Sequence, residues 1–330
     1  MDNLYDLIIV GAGPAGLTAS IYASCYHLKH LVTSSNLGGQ LQFAPDILNY
    51  PGYLHISGKE LTNKMADQAT QRGGEILLDS VISINTGNLT VDSQDLPGFE
   101  VIISSEKKYK ARSIIIATGT ERKKLNIPGE VEYTAHGVHY CATCEKQDYK
   151  GKVCAVIGGA NSAVQAAVQL ADAAGKVFVI YRGDQLRGDP IWLEQIGQNS
   201  KIEVIFNTQV LEILGDGKQV TGLKLKSIKG PESTVLATDR VFIEIGGVPG
   251  TALVIPIGVK MDKGGYIIVN DKLATNIEGV FAAGDLVSYG LSIEQISSAV
   301  GLGARAAASA FAFLKKENAP TLWGQSQIKR

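Results

Sequence analysis

"YDLIIVGAGPAGLTASIYASCY", residues 5–26, decides the fold. Leu7 to Val10 is a short unbroken apolar run, as a parallel strand buried on both faces requires. Gly11-Ala12-Gly13-Pro14-Ala15-Gly16 follows at once, and Leu17 to Tyr26 has the pattern of a helix. A strand, G-x-G-x-x-G and a helix in that order are the fingerprint of a dinucleotide site. Gly11 permits the tight turn, Gly13 lets backbone approach a pyrophosphate, and Gly16 lets helix pack close on strand. The helix N-terminus offers its unbonded N–H groups to the phosphates. The next strand, "HLVTSS" (30–35), ends without an Asp or Glu to hold a ribose 2′-hydroxyl. NAD is therefore disfavoured here and FAD is left open.

A second copy lies 147 residues further on: "GKVCAVIGGANSAVQAAVQLADAAGKVFVIYRG", residues 151–183. Lys152 to Ile157 reads as the strand, Gly158 to Ala163 as the turn, Ser162 to Ala173 as the helix and Val177 to Tyr181 as the next strand. Two such units in one α/β chain predict two doubly wound, Rossmann-like domains, the plan of a flavin enzyme with a separate electron donor. The second turn is altered, because Ala160 stands where bare backbone should meet the phosphates. "SIIIATGTERKKL" (113–125) and "RVFIEIGGVPG" (240–250) read as paired crossings between domains. The first domain is then discontinuous, 1–119 and 248–330, with 120–247 inserted. Later, "GVFAAGD" ends in Gly284-Asp285, where a carboxylate can accept a hydrogen bond from a ribityl hydroxyl.

Composition narrows the field. The 330 residues carry 31 Lys and Arg against 32 Asp and Glu, well mixed, which excludes a nucleic-acid footprint. The acidic start and the short, glycine-rich apolar run after it predict neither a leader nor a membrane span. Four cysteines, Cys25, Cys141, Cys144 and Cys154, are no disulfide scaffold, so a reducing cytoplasm is expected. Cys25 and Cys154 read as small core residues. The tail leaves its helical pattern at Ala319-Pro320, and Trp323 beyond it is expected to stack on the flavin or a neighbouring subunit, or else to belong to a free end.

"HYCATCEKQ" (139–147) holds the chemistry. Cys141 and Cys144 can cycle between dithiol and disulfide, with Glu145 placed to protonate a departing thiolate and Lys146 to stabilise one. His136 and His139 complete a possible zinc quartet, but four ligands within nine residues are too crowded for an ordinary structural site, and no metal is expected.

GAGPAG, "GGQL" (38–41), "NYPG" (49–52), "IIATG", CATC, a second nucleotide turn and "GVFAAGD" occur in the order of the low-molecular-weight thioredoxin reductases, which the chain resembles over nearly its whole length. The resemblance implies FAD in the outer domain, with the pyrophosphate on Gly11, Gly13, Pro14, Ala15 and Gly16. It implies Gly39, Gln40, Leu41 and Asn49 on the flavin side, with Val81, Thr118, Gly119 and Gly284 also next to the cofactor. Asp285 would hold the ribityl chain, and Gln295 and Ile296 the isoalloxazine. Cys144 would face the flavin and Cys141 would attack thioredoxin, in a homodimer. The chain departs from the family's pattern at the pyridine-nucleotide site: the turn is GGANSAVQAA, and the usual His-Arg-Arg clamp reads Tyr181-Arg182-Gly183, with Arg187 beyond. Near the flavin, Glu294-Gln295-Ile296 replaces Arg-Gln-Ala. In this it is similar to the ferredoxin-linked branch of the family, so the expected donor is ferredoxin-like and NADP(H) is doubtful. The alternatives are an NADPH-dependent thioredoxin reductase with a divergent site, a ferredoxin–NADP reductase-like flavoprotein, or a redox-sensing scaffold without turnover.

Overall fold

Runs of apolar residues determine where the sheets form. In the computed structural model, which describes residues 4–44, 47, 49–91, 94–134, 136–140, 149–290 and 294–320, the chain divides into two units, 1–120 with 249–330 and 121–248.

The first unit opens with β1 (Leu4–Ala12), α1 (Pro14–Cys25), β2 (His30–Leu37), α2 (Gly58–Gln71) and β3 (Glu75–Leu77). β4 (Val81–Val91), β5 (Gln94–Ile103) and β6 (Lys108–Ile116) then form an antiparallel meander. β6 belongs to both halves of this sheet. On one side its first half pairs with β5, antiparallel, while on the other Lys110 to Ile116 lie beside β1, parallel to it. Leu7, Ile8, Ile9 and Ile114 to Ile116 are fully buried, which is why these strands are apolar without alternation.

A short strand β7 (Thr120–Arg122) begins the crossing to the second unit, which opens with β8 (Val138–His139), β9 (Val153–Ile157), α3 (Asn161–Ala171), β10 (Lys176–Ile180), α4 (Pro190–Gln198) and β11 (Ile202–Ile205). β12 (Thr208–Gly215), β13 (Val220–Ser227) and β14 (Ser233–Ala237) make a separate antiparallel sheet, and β15 (Arg240–Ile243) returns to the main one. The main sheet runs β11-β10-β9-β15-β8, all parallel. The helix read from Ser162 to Ala173 begins and ends a residue or two earlier.

β16 (Gly247–Pro249) leads back to the first unit, followed by β17 (Ile267–Ile268), β18 (Val280–Ala282), β19 (Val287–Ser288) and α5 (Ile296–Lys315). β18 adds to β6, so the parallel part runs β3-β2-β1-β6-β18. α1 is enclosed by sheet and helices, and its small residues let α5 approach closely. A Cβ on Gly303 would lie 2.1 Å from the Ala15 carbonyl, so glycine is required at that crossing.

Two of the cysteines read as core residues differ. Cys154 is fully buried in β9, and burial pushes its thiol up to about 12. Cys25 is the last residue of α1 and is half-buried, because the helix ends there and its packed face ends with it.

Candidate functional site

In open α/β sheets, ligands bind beyond the carboxyl ends of the strands, at the switch point where neighbouring connections diverge. In the first unit that point lies between β1 and β6. Gly38 N–H donates to Ala12 O at 2.8 Å, Ala117 N–H to Val10 O at 2.7 Å and Ala283 N–H to Ile116 O at 2.9 Å. These bonds gather the turn 11–16, the loop 38–41, Thr118-Gly119 and Gly284-Asp285 at the carboxyl ends of the parallel strands.

The three turn glycines are needed for different reasons. A Cβ on Gly11 would lie 2.2 Å from Ala117 O, at a φ of +112°, and one on Gly16 would lie 1.8 Å from Gly11 O. Both are demanded by the fold. A Cβ on Gly13 would meet only Gly38 O, at 3.9 Å, which is ordinary contact. Nothing in the protein requires glycine at 13, so the free space above it is what a closely approaching ligand would use. Gly13 is also the N-cap of α1, with no side-chain cap and no acid in the first turn, and Pro14 opens the helix. The unbonded N–H groups there are free for a pyrophosphate.

Several of the expected cofactor residues are held by specific bonds. Gly39, Gln40 and Leu41 open a 3₁₀ turn over 39–43. The Gln40 amide donates to Thr120 O at 2.6 Å and to its hydroxyl at 2.7 Å. Asn49 Nδ2 donates to Gln295 Oε1 at 2.8 Å, joining two residues 246 positions apart, and Gln295 caps α5 immediately before Ile296. The Thr118 hydroxyl donates to Gly250 O at 2.7 Å; Gly119 takes a φ of +64° and Gly284 one of +95°, which favour glycine. Val81 opens β4. Asp285 is half-buried, and loss of solvent, then the Glu294 carboxylate, raise its carboxyl to about 6. β2 runs past the predicted 35 to Leu37, and its last polar residue, Asn36, accepts a hydrogen bond from Gly39 N–H at 3.1 Å. No acid stands at this end of the strand. The donor set suits FAD.

The second turn is built on the same geometry with other residues. Gly158 has a φ of +145°, and a Cβ there would lie 2.1 Å from Glu244 O. Ala160 is the N-cap of α3 at φ −101°, ψ −176°, close to the −80°, −175° of Gly13, and it is exposed. Its methyl therefore lies where the first turn keeps open space. The Tyr181 ring covers Gly159 and Gly183, with Cβ positions 2.4 and 2.5 Å from ring atoms. Segment 183–189 closes over the turn: Arg187 N–H donates to Gly159 O at 2.7 Å, Asp189 N–H to Asn161 Oδ1 at 2.6 Å and Asn161 Nδ2 to Asp189 Oδ1 at 3.0 Å.

Cys141, Cys144, Glu145 and Lys146 lie outside the described residues, as does Trp323. Their entrance is described. The Tyr140 hydroxyl donates to buried Glu130 at 2.7 Å, and Glu130 also accepts from the N–H groups of Leu125 at 3.0 Å and Asn126 at 2.6 Å. His139 stacks on Phe242, 5.3 Å between ring centroids, so it fills space in the sheet, while His136 is exposed. Sequence reading missed Glu130, Tyr140, Arg122 and Glu244, whose partners are fixed only by folding.

Residues 5–303 match the family model described as "Pyridine nucleotide-disulphide oxidoreductase". The chain is 38% identical over 316 residues to a thioredoxin reductase of Listeria monocytogenes, covering 96% of this chain and 95% of that one. A thioredoxin reductase of Bacillus subtilis is 38% identical over 309 residues, 93% and 94% of the two chains. Among solved structures, thioredoxin reductase from Lactococcus lactis superposes with a TM-score of 0.87 at 37% identity, covering 94% of this chain and 99% of that one. That from T. acidophilum gives 0.85 at 36%, with the same coverage.

Proposed function

The chain belongs to the pyridine nucleotide-disulphide oxidoreductases and, among them, to the low-molecular-weight thioredoxin reductases, and from this premise we propose the route its electrons take. It is a flavin-dependent disulfide reductase of the thioredoxin reductase type, and FAD is its cofactor. FAD supplies two-electron transfer between a donor and a disulfide.

The chain's own residues do the rest. The turn 11–16 and the α1 N-terminus hold the pyrophosphate, Asp285 orients the ribityl chain, and Asn49 with Gln295 positions the ring side. Two electrons reduce the Cys141–Cys144 disulfide to a dithiol. The Cys141 thiolate attacks one sulfur of a thioredoxin-like substrate disulfide; that S–S bond breaks and Glu145 protonates the departing thiolate. Cys144 then attacks Cys141 sulfur, releasing the substrate as its dithiol and restoring the Cys141–Cys144 disulfide. We extend the reading to a homodimer in the cytoplasm.

The donor in this proposal is a low-potential protein of ferredoxin type. The observation that carries it is the contrast at the glycine turns: space over Gly13, a methyl at Ala160 and the Tyr181 ring across Gly159 and Gly183. A ferredoxin needs no nucleotide pocket. The second reading is a pyridine-nucleotide donor at a divergent site, favoured by the family's description, by Arg182 and Arg187, and by the uncapped α3 N-terminus. Anaerobic mixing decides between them. Reduced ferredoxin should bleach the flavin rapidly while NADPH and NADH do so slowly and without saturation. Rapid, saturable bleaching by either nucleotide overturns the ferredoxin reading.

A further inference from the structure

The two units can be compared at the strand beside each glycine turn. In the first, Ala117 follows β6; its N–H donates to Val10 O at 2.7 Å, and its carbonyl fills the place a Cβ on Gly11 would need, 2.2 Å away. In the second, Glu244 follows β15 and repeats both contacts: its N–H donates to Ile157 O at 2.9 Å, and its carbonyl lies 2.1 Å from a Cβ on Gly158. Where one unit has a methyl, the other has a carboxylate.

That carboxylate is only 6% exposed as a residue. Alternation along β15 puts Glu244 on the face of Phe242, which packs against α3. Its counter-ion is Arg122, with Nη1 2.5 Å from Oε2. The surrounding elements add little charge among the described residues. Turn 158–163 and the first turn of α3 carry no ionisable side chain, and His139 on β8 stacks on Phe242. Arg240, on the same strand, donates to Asp239 O, and the Arg187 and Asp189 backbones lie on the turn itself.

We propose that Glu244, held by Arg122, is the specificity-determining residue that excludes a dinucleotide from the second turn. This rests on the reading that electrons do not enter there, and deepens it. A pyrophosphate at the α3 N-terminus would bring two negative charges to the switch point that Glu244 already occupies, and would compete for Arg122. A buried carboxylate deprived of its partner is strongly unfavourable. Nucleotide binding therefore requires Glu244 to take up a proton. Burial pushes this carboxyl up to about 7, with Arg122 pulling the other way. The proton is present below that pH and lost above it, so nucleotide affinity falls as pH rises through 7.

The test uses the FAD-loaded full chain and NADP⁺, with binding measured by calorimetry near pH 6 and near pH 8. The wild type should bind roughly tenfold more weakly at the higher pH, and Glu244→Gln should bind about tenfold more tightly there, with the pH dependence reduced to that of the nucleotide. The phosphates of NADP⁺ titrate alike in both proteins, so the difference belongs to Glu244. A double variant, Arg122→Met with Glu244→Leu, removes both charges together and should show the same gain even if the single change loosens the fold. Affinity at pH 8 that is unchanged or weaker in both variants overturns the proposal. Rapid flavin reduction of the wild type by NADPH would sink the donor reading and exclusion at the second turn with it, whereas slow reduction with unchanged affinity in both variants would sink the role of Glu244 alone.

Discussion

The two glycine turns share a backbone and differ in what that backbone is left free to do. Gly13 and Ala160 cap their helices at nearly the same dihedrals, and Gly11 and Gly158 both make room for the carbonyl of a neighbouring strand. The first turn keeps a glycine that the fold does not need. The second fills that place with a methyl, lays the Tyr181 ring across two glycines, and has beside it Glu244, whose backbone carbonyl meets Gly158 and whose buried carboxylate pairs with Arg122. Fold geometry and ligand geometry are thus separable within one motif: Gly11 recurs as Gly158, whereas the Gly13 position, which the fold leaves free, has become Ala160 and the close-packed Gly16 position has become Ala163.

The largest expected effects test whether the first turn and the dithiol serve one reaction. Cys141→Ser and Cys144→Ser should each abolish thioredoxin reduction while FAD stays bound, and Cys144→Ser should also lose any thiolate–flavin charge-transfer absorbance. Glu145→Gln should slow turnover by roughly 10²-fold if it is the proton donor.

Next come the glycines. Gly16→Val would place a Cβ 1.8 Å from a backbone oxygen, and should cost about 4 kcal/mol or more, visible as failure of the first unit to fold. Gly13→Val should fold, with circular dichroism unchanged, yet purify colourless. A yellow Gly13→Val protein would break the comparison at its centre. A smaller effect is expected in the second turn, where Ala160→Gly, Tyr181→His and Gly183→Arg combined should tighten NADP⁺ binding about tenfold or more, a charge-assisted contact having been restored. No gain in titration calorimetry would mean that these side chains do not set affinity.

The smallest effect concerns Asp285. Its carboxyl is raised to about 6 in the folded chain, so the folded state holds that proton more tightly than the unfolded one. Its contribution is most favourable below about pH 4 and is lost as pH rises through 6. Apoprotein carrying Asp285→Asn should melt a few degrees above wild type near pH 8, and the gap should close near pH 4. A constant gap across that range would remove the carboxyl from the account.

The legible part of the molecule was local in sequence. A strand, a spaced glycine turn and a helix fall within some twenty residues, so 5–26 and 151–183 announced themselves, and the Ala160 and Gly183 departures were visible with them. The Asn49–Gln295 bond joins residues far apart, and could be approached only through resemblance. The Arg122–Glu244 pair was invisible, since "TERKKL" and "FIEIGG" each look like solvated ends of strands. Charge in a sequence does not say which side of a sheet it will occupy. Cys25 was misplaced for a related reason: periodicity shows a helix's inner face but not where the packing against that face stops.

The close crossing of Gly303 over Ala15 has a consequence for the order of events during synthesis. Residue 15 leaves the ribosome early, and its partner is made almost last. The inserted unit, 121–248, is complete well before that moment, because all its strands lie within one continuous stretch. The outer unit must keep α1 without its final neighbour while the inner one forms, and it closes only when α5 arrives. On a ribosome-bound chain halted near residue 290, where 121–248 has cleared the ribosome and α5 has not been made, protease should spare 121–248 and cut within 4–120. Equal protection of both stretches would show that α5 is not needed to finish the outer unit.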